Sequence, residues 1–208
     1  LLGLPEGADH QRPDIANAPN GINGLVFKTD DADETYAHLQ SIGQAGDPPR
    51  SFSRPVDVDG GTKDAKFRTV TVRADVYPGG RVYFCEHGTP ELVWRPEWQS
   101  HANGTVAIPE FVVASKSADK EAGNFAALLG CNVNNNTAAF DGGRVSVLSE
   151  NDYAARYGAL ASTLADRASI FGALVFKSQN RTALNDLVQG GIDGIESQVE
   201  SARTLVRI

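Results

Sequence analysis

Gly24-Leu25-Val26-Phe27-Lys28-Thr29-Asp30-Asp31-Ala32-Asp33 is the stretch on which the reading of this 208-residue chain turns. Its tetrapeptide Leu25-Val26-Phe27-Lys28 returns unchanged as Leu174-Val175-Phe176-Lys177. Internal repetition takes priority over other signals, because a missed repeat misreads the whole fold. Each copy runs into a helical pattern. After the first, Tyr36, Leu39 and Ile42 recur at spacing three and Gly43 closes the run; after the second come Leu184, Leu187 and Val188, closed by Gly190-Gly191. A diverged copy lies between them: Phe111-Val112-Val113-Ala114, a polar turn from Ser115 to Asp119, a helix carrying Phe125, Leu128 and Leu129, then Gly130. The unit is a strand, a Ser-rich or acidic helix cap, an amphipathic helix and a Gly stop.

Beyond each helix the chain is β-rich. Phe67 to Arg73 alternates like a strand with one wet face, and the turn Tyr77-Pro78-Gly79-Gly80 returns the chain through Arg81 to Cys85 as a hairpin. Asn132 to Leu148 compresses the same pattern, with Asp141-Gly142-Gly143 as its turn. The chain therefore reads as α+β, with repeated βαβββ modules forming paired curved sheets around a central cavity and helices outside. Residues 1–19 read as the remnant of a first module, 20–100 as one βαβββ module, 101–160 as a second, compressed one, and 161–208 as an incomplete third.

Composition narrows the class of partner. Nineteen Lys and Arg against 26 Asp and Glu leave a formal charge of −7 with no basic block, so neither nucleic acid nor an anionic membrane surface is expected. The longest apolar stretch, Val106 to Ala114, is broken by Pro109 and Glu110 and falls well short of the ~18–20 residues a membrane span requires. Two cysteines, Cys85 and Cys131, lie far apart without a C-x-x-C, which reads as free thiols in a reducing cytoplasm. A glycine-rich phosphate loop, a G-x-S-x-G elbow and an H-E-x-x-H helix are all missing from the sequence, which removes kinase, serine hydrolase and zincin readings.

The segment Phe84-Cys85-Glu86-His87-Gly88-Thr89-Pro90-Glu91-Leu92-Val93-Trp94-Arg95-Pro96-Glu97-Trp98, followed by His101 and Asn103-Gly104, joins the repeat in pointing to a family. Together they resemble the vicinal oxygen chelate superfamily of glyoxalase I, extradiol dioxygenases and bleomycin-resistance proteins, in its bacterial glyoxalase-like branch. The resemblance implies a divalent metal held by a ligand near the start of each module's first strand and a Glu on its last strand, where it would polarise substrate oxygens. Residue by residue, those positions hold Gly24, Glu110 and about Ala173 on the first strands, and fall near Phe84 and Ser146 on the last. Only Glu110 is a plausible ligand, so the expected ligand set is incomplete.

Glu110 opens an apolar strand, where an unpaired carboxylate is costly to bury. Either it pairs with an arginine or it lines the cavity as base or lone ligand. His87 ends a strand beside Glu91, in position to act as acid, base or ligand, or to cap the strand. Glu110 and His87 are thus the expected catalytic pair and the only metal candidates, meeting in one cavity with Glu91 near and Arg95 at its edge for substrate. Arg95 between Trp94 and Trp98 reads equally as a structural clamp. His10 and His38 read as solvated, and Asp57 to Lys66 as a solvated hairpin tip. Two function classes stay open: a cytoplasmic glyoxalase-like lyase or isomerase acting on a small oxygenated molecule, and a metal-free small-molecule binding protein of the bleomycin-resistance type. A homodimer is compatible with either.

Overall fold

The computed structural model describes residues 18–190, 196–199 and 204–207. His10 and most of the expected remnant lie outside the described residues, as do the side chains of Leu184, Leu187 and Val188. The first unit is β1 (Gly24–Thr29), α1 (Ala32–Ser41), β2 (Arg50–Val58), β3 (Gly61–Thr71) and β4 (Arg81–His87), which form a four-stranded sheet in the order β1-β4-β3-β2. The second is β5 (Thr105–Ser115), α2 (Ala118–Leu129), β6 (Val133–Asn134), β7 (Thr137–Phe140) and β8 (Gly143–Ser149), with the same order of first, fourth, third and second strand. In each, the first strand runs parallel to the fourth, and the helix carries the chain from the first strand to the second at the far side of the unit.

The local signals explain these elements. Asp31 caps α1, its side chain accepting from the backbone N–H groups of Asp33 and Glu34 at 2.8 and 2.9 Å. Gly130 ends α2 at φ 62°, a left-handed conformation that glycine adopts without a Cβ penalty. The segment 50–58, read from sequence only as polar and turn-rich, is a strand; its nine residues are exposed or half-buried, so no apolar face marks it.

After β8 the chain forms α3 (Glu150–Tyr157), then β9 (Ser169–Ser178), α4 (Arg181–Gln189) and the hairpin β10 (Glu196–Val199) and β11 (Thr204–Arg207). β9 carries the second Leu-Val-Phe-Lys copy and lies antiparallel to β5, joining the second sheet at its edge. Its neighbour on β5 begins as an outlying ribbon, with Val106 and Ile108 exposed.

One core joins the two units. Phe27, Leu39, Val70, Val82 and Phe84 of the first cluster with Phe111, Val113, Phe125, Leu128, Val145 and Val147 of the second. Fully burying such side chains contributes roughly 1.5–3 kcal/mol each before chain entropy is set against it. These residues stand on the faces that bear α1 and α2, so the units meet through their helix-bearing faces. Each helix keeps an exposed face and packs its apolar one on this core, and the two helices touch: His38, expected in solvent, sets its Nε2 against the carbonyls of Ala127 and Leu128 at 3.1 and 3.2 Å. The cavity between the units is a cleft of about 360 Å³ near the end of α1 and the start of α2. Among the described residues no helix is long and apolar enough to cross a membrane.

Candidate functional site

Each sheet has a second face, turned away from the shared core, and the two are used differently. On the second sheet that face carries Glu110, Val112 and Ala114 from β5, opposite Arg144, Ser146 and Leu148 of β8. α3 and the chain after it cover it, with Tyr153 and Leu164 packed against Val112, Ala114 and Ile170. Tyr153 donates its hydroxyl to the Gly172 carbonyl at 2.9 Å. A Cβ at Gly172 would come within 2.6 Å of that ring, so glycine is what lets the helix seat.

Glu110 is 2% exposed and fully paired. Arg156 of α3 donates Nη1 and Nη2 to its two oxygens at 2.8 and 2.9 Å, and Arg144 Nη2 adds a third bond at 2.9 Å. Burial alone pushes this carboxyl up; the hydrogen bonds from Arg156, Ser146 and Arg144 outweigh it and hold the group at about 2. An acid this strong, with both oxygens taken, is neither a base nor an open ligand. It anchors α3.

On the first sheet the corresponding face is partly exposed, Val26 at 46% and Phe52 at 37%, with Cys85 buried among its neighbours. Register places Val26, Lys28, Phe52, Phe67, Tyr83, Cys85 and His87 on it. Four rings form a continuous row across β2, β3, β4 and the short helical turn after it. Phe52 stacks on Phe67 with centroids 5.2 Å apart, Phe67 meets His87 edge-on at 5.4 Å, and His87 lies nearly parallel to Trp94 at 5.5 Å. Trp94 is 52% exposed and Phe52 37%, so the row faces solvent along its length.

His87 is fixed by one hydrogen bond. Trp94 Nε1–H donates to His87 Nδ1 at 3.0 Å, so the neutral ring carries its proton on Nε2, which makes no hydrogen bond among the described residues. Burial, then the Lys28 ammonium on the same face, pushes the imidazole below its ordinary value of 6.5. A neutral ring with Nε2–H outward is a hydrogen-bond donor. The expected acid/base pair is therefore not formed: His87 and Glu110 belong to different sheets, share no partner, and Glu110 is shut in by its arginines.

The other sequence candidates take lesser places. Glu91 is exposed and makes no hydrogen bond among the described residues. Arg95 pairs with Glu97, lies over the Trp98 ring at 4.8 Å and donates to the Asp57 carbonyl at 3.3 Å, which makes it the clamp between the 96–98 turn and the β2–β3 hairpin tip. Phe52, Phe67, Arg144 and Arg156 were not singled out by sequence. The signal for Phe67 was its phase: it alternates with the buried Val70 and Val72, an aromatic ring in the wet register.

A divalent metal does not fit this constellation. Glu110 is saturated by cations, the His87 Nδ1 is occupied, and among the described residues no three His, Cys, Asp or Glu side chains lie together as a ligand group.

The fold itself, a βαβββ unit used twice with the first strand beside the fourth, defines a vicinal oxygen chelate protein. More narrowly, the chain belongs to the glyoxalase-like domain family, whose model matches residues 4–129. In structure it is similar to a hypothetical protein from Staphylococcus aureus, with a TM-score of 0.55 at 12% identity over 89% of this chain and 65% of that one. The chain thus spans less than two thirds of that neighbour's length, and the likeness speaks to fold alone. No protein of curated function matches the sequence.

Proposed function

We propose that this protein binds a small planar oxygenated organic molecule on the partly exposed face of the first sheet, and does so without metal-assisted chemistry. The observation that carries the reading is the ring row Phe52–Phe67–His87–Trp94 ending at a histidine whose Nε2–H has no partner among the described residues. Stacking on such a row contributes about 0.5–1.5 kcal/mol per aromatic contact beyond area burial. A donor at its end fixes the orientation of a carbonyl or hydroxyl oxygen. Of the two function classes open from sequence, the lyase or isomerase needs a base beside that oxygen, and Glu110 is withdrawn from the role. Binding or sequestration needs only what is present. The unpaired thiols Cys85 and Cys131 support a reducing, cytoplasmic setting for it.

The test uses Trp94 and Trp98, the chain's two tryptophans, as reporters. Titration with hydroxyacetophenone, a planar ring bearing adjacent oxygens, should quench fluorescence saturably. Phe67→Ala and His87→Ala should each weaken binding by about tenfold, equivalent to ~1.4 kcal/mol. Glu110→Gln should leave it unchanged. Equal affinity in wild type and Phe67→Ala would remove the face as the binding site.

A further inference from the structure

Glu121, in the first turn of α2, is buried almost as deeply as Glu110, at 4% exposure, but among the described residues no arginine pairs with it. Ser169 Oγ donates to its Oε1 at 3.1 Å and Ser115 supplies a second side-chain hydrogen bond. Among the described residues no cation pairs with it. The charged and titratable groups around it are otherwise engaged or in water. Lys120 beside it is exposed, Asp75 is held by Arg73, Lys116 donates to the Ala165 carbonyl, and Tyr77 donates to Gln44 Oε1 and the Asn124 carbonyl. Burial pushes the Glu121 carboxyl up against the pull of the two serines.

Glu121 is among the residues that line the cleft between the two units, whose volume of about 360 Å³ would hold roughly a dozen waters or one small organic molecule. Ile42, Val76 and Pro78 give the cleft apolar surface, beside the polar Gln44 and Asn124 and the charged Asp75 and Lys120. A buried carboxylate is paired or it stays protonated, since an isolated charge is too costly to keep. Here the missing counter-charge and the open volume coincide. We propose that the cleft is a binding site for a small alkylammonium ion, its chain on Ile42, Val76 and Pro78 and its charge neutralised by Glu121. The ligand enters as the ammonium and remains one; at a pH below the folded-state value of Glu121, its carboxyl releases a proton to solvent as the ion pair forms. Binding is therefore coupled to proton release and strengthens as pH rises through the folded-state value of Glu121.

Calorimetric titration with butylammonium chloride, in two buffers of different ionisation enthalpy, tests this. One ion should bind per chain, with net proton release below the folded-state value of Glu121, and butanol, the neutral analogue, should not compete. Glu121→Gln, which keeps the shape and removes the charge, should weaken binding by at least about tenfold. Lys120→Glu changes an exposed charge at the lining of the same cleft and leaves the Glu121 carboxyl and its serines in place; it should tighten binding by about threefold, the size of an exposed charge effect. Failure to detect binding, equal binding of butanol, an unaltered Kd in Glu121→Gln, or displacement of butylammonium by potassium at equal concentration would each overturn the proposal.

Discussion

Arg156 grips Glu110 with both terminal nitrogens, at 2.8 and 2.9 Å, and through that contact α3 is held over one face of the second sheet. The same position that the superfamily resemblance assigned to a metal ligand is thus occupied by a guanidinium. The consequence is an asymmetry: this face of the second sheet is covered by the chain's own helix, while the ring row on the first sheet keeps Phe52 and Trp94 exposed.

Removing the guanidinium should be costly. In Arg156→Ala the carboxylate stays buried with only Arg144 and Ser146 against it, and breaking one side of a buried pair typically costs about 3–5 kcal/mol. Because Arg144 remains, a loss near the low end, about 3 kcal/mol, is expected in urea unfolding. Glu110→Gln should cost less, since no charge is stranded on the carboxylate side. Hydroxyacetophenone binding to the first sheet should be untouched in both. A neutral Arg156→Ala would mean that α3 is held by its apolar contacts alone.

The same pair fixes an acid limit. Glu110 titrates at about 2 in the folded chain against 4.5 for the free group, so below 4.5 the unfolded state binds the proton first. Its contribution to stability is complete above 4.5 and is lost as pH falls from there through about 2. Melting temperatures measured downward across that window should fall more steeply in wild type than in Glu110→Gln, which has nothing there to protonate. Parallel curves would show that the ion pair contributes nothing net.

Much of the fold was legible in the sequence because its signals are local and redundant. The strand 25–28, the Asp31 cap, the glycine after each helix and the 67–85 hairpin each announce themselves within a few residues, and their order implied the module. The faces that meet were not legible. Val70 and Val72 are apolar on one side of β3 and Phe67 is apolar on the other, and periodicity does not say which side receives a helix and which stays partly exposed. Glu110 was recognised as needing a partner, but its partner Arg156 lies 46 residues on in α3, a helix with no sequence repeat to reveal it. The pairing of Glu110 with His87 failed for that reason. It assumed a carboxylate free to turn to the other sheet, whereas Glu110 is held on its own sheet by Arg156 and Arg144.

The histidine makes the last prediction. Trp94 Nε1–H points at His87 Nδ1, so protonating that nitrogen sets two donors face to face and must break the bond. Burial first, and Lys28 second, hold the imidazole below 6.5, so the neutral ring persists in the folded chain as pH falls past the value at which the unfolded chain takes up the proton. Stability is therefore lost as pH drops from 6.5 through the lower folded value. Trp94 emission, followed in a Trp98→Phe background, should report the transition directly, with a midpoint below 6.5 that moves upward in Lys28→Ala as the neighbouring charge is removed. Hydroxyacetophenone should raise no proton uptake above that midpoint, because the ligand accepts from Nε2–H of a ring already in the right tautomer. A midpoint above 6.5 would mean that the donor is an imidazolium with no hydrogen bond to Trp94, and one that Lys28→Ala leaves or lowers would remove Lys28 as a cause of the lowered value.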